Sequence, residues 1–140
     1  SDLERIGDHA INIANRAQRL AEDDTHFSQD ALKEINIMES LCNNILDELI
    51  ILDYDEFKNI VDKVDIMEDN IDKTQHQFAV NQLIRLKEKK CSTENSIIYT
   101  KILTDFERIG DHGLNIAESL YHIRKIMKQM KMIKPEIEEA

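Results

Sequence analysis

Apolar residues recur with helical spacing in four long stretches of this chain. The first predicted helix runs from Asp2 to Glu22, with Ile6, Ala10, Ile13, Ala17 and Leu20 on one face. Asp23 to Phe27 is a connector, and Ser28 is a good N-cap for a second helix over 29–52. Leu32, Ile35, Met38, Cys42, Ile45, Leu46 and Leu49 form its buried stripe, with Glu39 at the edge, snorkelling to solvent. Asp53 or Asp55 caps a third helix that reaches about Lys89, with Phe57, Ile60, Val61, Val64, Met67, Ile71, Phe78, Ala79 and Leu86 facing inward. Ser92 or Thr93 opens a fourth helix that extends to about Lys128. Beyond it, residues 129–140 form a basic, Met-rich tail that ends the helix at Pro135 or touches an anionic membrane surface. The expected fold is an all-α antiparallel helical bundle.

Residues 2–14 and 105–117 are nearly the same sequence. Ten of thirteen positions are identical at an offset of 103, and the other three are conservative. Such a repeat outranks any local feature. On the second copy Ile98, Ile102, Phe106, Ile109, Gly113, Ile116, Leu120 and Ile123 share one face. Glu107 and Asp111 stack one turn apart, about 140–180° from the centre of that stripe. Glu4 and Asp8 repeat the arrangement. Both pairs are therefore expected on an outer face. Like charges at i,i+4 cost a helix a few tenths of a kcal/mol, ~0.2–0.5. Two readings explain their retention: ligands for a hard cation, or a solvated acidic face paired with Arg108 and Arg5.

The third helix carries more acids: Asp65, Glu68, Asp69 and Asp72, followed by His76. Glu68 falls inside the apolar stripe, and Asp65 and Asp72 line its border. An acid there is costly unless paired or bound to metal. Placed beside Glu107 and Asp111, this row makes a many-oxygen site between neighbouring helices. His9, His76 and His112 are secondary ligand candidates, with a surface position or inter-helix hydrogen bonding as the alternative. The basic run from Arg85 to Lys90 suits a helix C-terminus.

Composition narrows the classes. With 41% hydrophobic residues, 33% charged, 3 Gly and 1 Pro, the chain is one helical domain with few breaks. The net charge of −10 argues against nucleic acid as a partner. The longest apolar run, Leu49 to Leu52, is far short of the ~20 residues a membrane span needs. Cys42 lies on an apolar face and Cys91 has no ligand spacing, so a reducing compartment is expected. The chain opens inside a helix motif without an initiator Met, and reads as a piece of a longer protein.

Leu-Glu-Arg-Ile-Gly-Asp-His-Ala-x-Asn-Ile-Ala resembles the signature helix of the PhoU family of phosphate-uptake regulators. The resemblance covers the chain to about residue 125. It implies three-helix repeats carrying Glu/Asp-x-x-x-Asp motifs that bind metal clusters. On that basis 1–23 is the last helix of a preceding repeat, and 28–128 is a complete three-helix unit. The metal set implied is Glu68, Asp72, Glu107 and Asp111, with Asp65 contributing; Glu4 and Asp8 are half of a second site. Fe, Zn, Mn or Mg are the candidate ions. The family occurs in two settings. One is the cytoplasmic domain of bacterial Na/phosphate cotransporters, at the inner face of the membrane. The other is the free-standing negative regulator of a phosphate ABC transporter and its two-component signalling. The sequence after Glu118 departs from the free-standing pattern and favours the first. A phosphate transporter membrane domain, in cis or docked, is the implied partner, and a homo-oligomer is an open option.

Two other classes compete. A di-iron enzyme would use Glu-x-x-His with ligands facing inward, and neither copy contains it. The expectation is thus a non-enzyme. A helical interaction scaffold without metal is the other alternative.

Overall fold

A computed structural model describes residues 1–50 and 53–130. Within them the protein is all-α. The helices are α1 (Asp2–Glu22), α2 (Gln29–Leu49), α3 (Ile60–Lys87) and α4 (Thr93–Gln129), with a short 3-10 helix over Tyr54–Lys58. The tail beyond Met130 and the expected end of the second helix at Leu52 lie outside the described residues.

Local chemistry sets most boundaries. Ser28 Oγ accepts from Ala31 N, and Ser92 Oγ accepts from Asn95 N, so both serines cap as expected. The third helix differs. Asp53 caps the 3-10 helix instead, by accepting from Asp55 N. After it the chain pauses at Asn59, which makes no side-chain cap, and α3 opens at Ile60. Phe57 is already buried there against the ring of Tyr54. Arg124 of α4 donates from Nε to the Tyr54 carbonyl at 3.1 Å and fixes this segment.

Helices α2, α3 and α4 close one core. Matching residues along α2 and α4 run in the same order: Glu34 meets Tyr99, Cys42 meets Phe106 and Ile45 meets Gly113. These two helices are parallel, and α3 runs against both. Met38, Ile45, Val64, Ile71, Tyr99 and Leu103 are fully buried at the centre. Each such side chain contributes ~1.5–3 kcal/mol by leaving water. Gly113 permits the tightest approach: a Cβ there would lie 2.7 Å from Ile45 Cγ2.

Among the described elements, the backbone of helix α1 comes close only to that of α4. The two pack antiparallel, and their contacts are reciprocal. His9 Nδ1 lies 2.9 Å from Asp105 Oδ1, and His112 Nδ1 lies 2.9 Å from Asp2 Oδ1. A carboxylate only accepts, so each histidine donates from Nδ1. The two imidazoles stack between these pairs, 5.7 Å apart. Since Asp2 and His9 are the repeat equivalents of Asp105 and His112, a local pseudo-twofold relates α1 to α4. The extra contacts differ: Arg16 donates to Asp105, and Asn115 donates to Asp2. Helices α1 and α2 both lean on α4 with their backbones apart. Between them lies an apolar groove lined by Ile6, Ile13, Ile35 and Leu46 over Phe106 and Ile109.

Candidate metal centre

Helix α4 is packed on three sides, by α1, α2 and α3. That geometry corrects the expected exposure of Glu107 and Asp111. Their side chains are only 25% and 32% exposed, because α3 covers the face that a single apolar stripe assigns to solvent. Facing them from α3 are Glu68 and Asp72, both half-buried. One carboxylate oxygen each from Glu68, Asp72 and Asp111 falls within a 4.8 Å cluster. Glu107 borders that cluster and feels the charge of both Asp111 and Asp72.

The electrostatics follow from crowding. Burial, then hydrogen bonding with Asp111 and Asp72, pushes the Glu68 carboxyl up to about 8. Burial, then the Asp111 charge, pushes Glu107 up to about 7, against a small opposing pull from Arg108. Arg108 is the only cation in range among the described pairs, at 3.8 Å from Glu107 and 3.9 Å from Asp111. It is 58% exposed and too distant for direct hydrogen bonds. One guanidinium therefore borders two of the four crowded carboxyls. Asp72 Oδ1 is buried with no hydrogen-bond partner. An orphaned carboxylate oxygen inside an all-oxygen set fits a hard or borderline cation.

The other expected ligands are placed apart. Asp65 is exposed on α3, one turn before Glu68, and outside the cluster. Glu4 and Asp8 are exposed on α1, and among the described residues no clustered carboxylates join them. Glu4 instead completes a capping box with Ser1. His76 is exposed. His9 and His112 are committed to Asp105 and Asp2, so inter-helix hydrogen bonding accounts for them. Cys42 is core: its thiol donates to the Phe106 carbonyl, and burial pushes it up to about 12.

A second polar cluster was missed by sequence reasoning. Glu34, 7% exposed, accepts from Arg85 Nη2 at 2.5 Å, Asn81 Nδ2 at 2.6 Å and Tyr99 Oη at 2.7 Å. Burial alone would raise its carboxyl; these three donors outweigh it and hold it below the usual range. Arg85 also donates from Nε to the buried Gln82. Arg85 is thus half of a buried ion pair, beyond its place at a helix C-terminus. The signal was present: Ala31, Glu34, Met38, Cys42 and Ile45 follow helical spacing, so Glu34 sits inside the stripe.

These features define a class: an all-α module whose two innermost antiparallel helices share a carboxylate row. The sequence matches the PhoU domain family over residues 22–120, and the chain belongs to that family. It is 30% identical to a phosphate-specific transport system accessory protein PhoU homolog of Thermotoga maritima, over 92% of this chain and 56% of that protein. It is 28% identical to a PhoU homolog of Clostridium acetobutylicum, over 88% and 55% of the two chains. A Synechocystis homolog shares 27% identity over 87% and 53%. The chain thus spans about half the length of these curated relatives. No solved structure matches it significantly. No described helix is long and apolar enough to cross a membrane.

Proposed function

We propose that this chain is a non-catalytic regulatory or accessory module in phosphate uptake, and that its α3–α4 seam binds a divalent or transition metal ion. The observation that carries the metal reading is the convergence of Glu68, Asp72 and Asp111 around an unpartnered Asp72 oxygen. Glu107 completes the set. An ion there offsets the mutual repulsion of these carboxyls and ties α3 to α4; oxygen ligation suits Mg, Mn, Fe or Zn. The relatives' names support the phosphate-transport setting.

The partner is the membrane part of a phosphate transporter, in the same polypeptide or docked to it, at the cytoplasmic face. The departure after Glu118 supports the cotransporter form; the accessory-protein relatives support the free-standing form. We read α1 as the last helix of a preceding three-helix unit, and Glu4 and Asp8 as half of that unit's site. Its reciprocal packing on α4 supports that reading.

The test is metal content of the purified chain by plasma mass spectrometry, beside Glu107→Ala/Asp111→Ala. Stoichiometric metal in the parent, lost in the variant, is the expected result. No metal in either after resupply of Mn, Fe and Zn leaves the acids as a protein-interaction face.

A further inference from the structure

Each acid pair of the α3–α4 seam brackets a residue that touches the opposite helix. On α3 it is Ile71, between Glu68 and Asp72; on α4 it is Gly110, between Glu107 and Asp111. Ile71 is fully buried and seats directly on Gly110. A Cβ at Gly110 would lie 3.2 Å from Ile71 Cδ1 and 3.6 Å from its Cγ2. The Cδ1 distance is tighter than ordinary packing, the Cγ2 distance is ordinary contact, and Ile71 is fully buried. The repeat supplies a control: at Gly7, the equivalent of Gly110, a Cβ would meet nothing within 4 Å.

We propose that Gly110, seated against Ile71, is a positioning residue that sets the spacing of the four carboxylates and hence the size of cation they prefer. This rests on the metal-binding reading above. The missing Cβ lets α3 and α4 approach at the level where the oxygens must converge. Cation size is read through that spacing, since small octahedral ions bind oxygen at about 2.0–2.1 Å and calcium at about 2.3–2.6 Å. A helix separation that grows by a few tenths of an ångström therefore discriminates against the smaller ion. Ile71 and Gly110 touch no ion themselves; they act through the backbones that carry the ligands.

The experiment compares Mn²⁺ and Ca²⁺ affinity by calorimetry on the metal-stripped chain, with melting curves recorded in chelator. Gly110→Ala is expected to weaken Mn²⁺ by about tenfold, the lower end for groups that orient ligands, and Ca²⁺ by less. Gly110→Ala/Ile71→Val removes the Cδ1 that the new methyl strikes, and should recover most of the Mn²⁺ affinity. Gly7→Ala should bind as the parent does. Unchanged Mn²⁺-over-Ca²⁺ preference in Gly110→Ala overturns the proposal, as does a loss that Ile71→Val does not restore. If Gly110→Ala does not fold, Ile71→Ala removes the same contact from the other helix, and an unmoved preference there overturns it equally. A parent chain that binds neither ion sinks the metal reading itself, whereas a parent that binds with an indifferent Gly110→Ala sinks only the positioning role.

Discussion

The two copies of the repeated motif share ten of thirteen residues and live in different surroundings. In α4 the motif is enclosed by three helices; in α1 it packs closely on one. Glu107 and Asp111 therefore meet a second acidic row, whereas Glu4 and Asp8 face solvent. Gly110 is seated against Ile71, and Gly7 has open space. Motif residues alone do not make a carboxylate cluster. The opposing helix does, and only the second copy has one among the described residues.

The comparison is most sharply tested at the acids. Asp111→Asn with Asp72→Asn should lower metal affinity by at least ~100-fold, at the upper end of what ligand-shell changes cost. The matching Asp8→Asn should leave it unchanged in titration calorimetry. Equal losses at both copies would mean that α1 contributes a site of its own in solution.

The reciprocal histidine pairs come next. Asp105 is 5% exposed and answers both His9 and Arg16. Removing it as Asp105→Ala should destabilise by ~1–3 kcal/mol, since half-buried His9 and Arg16 both lose their acceptor. Asp2→Ala breaks the equivalent pair at the surface and should cost at most ~1 kcal/mol. Urea melts of the two variants would blur this asymmetry if α1 frays from α4 independently of the unit.

The glycines give a similar contrast. Gly113→Ala drives a methyl to 2.7 Å from Ile45, and overpacking of this kind costs ~1–3 kcal/mol. Gly7→Ala meets nothing and should gain up to ~1 kcal/mol from helix propensity. A thermal melt in which both move the same way would contradict the packing described.

The last contrast is in pH. Folded Glu68 keeps its proton up to about 8, against 4.5 in the unfolded chain. Between those values the folded state binds the extra proton, so its stability is fully present below 4.5 and falls as pH rises towards 8. The metal-free melting temperature of the parent should thus drop, relative to Glu68→Gln, between pH 5 and 8.5. Metal must displace that proton, so affinity should rise over the same interval.

Much of this was legible in sequence. Ser28 and Ser92 announced α2 and α4, and the repeat announced the motif helices. What escaped depends on neighbours. One apolar stripe per helix describes a helix packed on one side, so α4, packed on three, hid the half-buried setting of Glu107 and Asp111. Tyr54 and Phe57 pass for the start of an amphipathic helix, yet they pack on each other in a 3-10 turn before α3 begins. Glu34 was on the stripe, but its partners Arg85 and Tyr99 lie 51 and 65 residues away. Pairings at that distance have no local signature.

The stacked imidazoles have one more consequence. Where a helix and its own duplicate face each other across a twofold, the contact is isologous: a homodimer seam carried within one chain. Unlike a true homodimer, the duplicated chain lets each side of the seam change on its own, as the extra Arg16–Asp105 and Asn115–Asp2 contacts show. The two sides of this interface can therefore diverge one residue at a time while the stacked imidazoles keep the shared geometry.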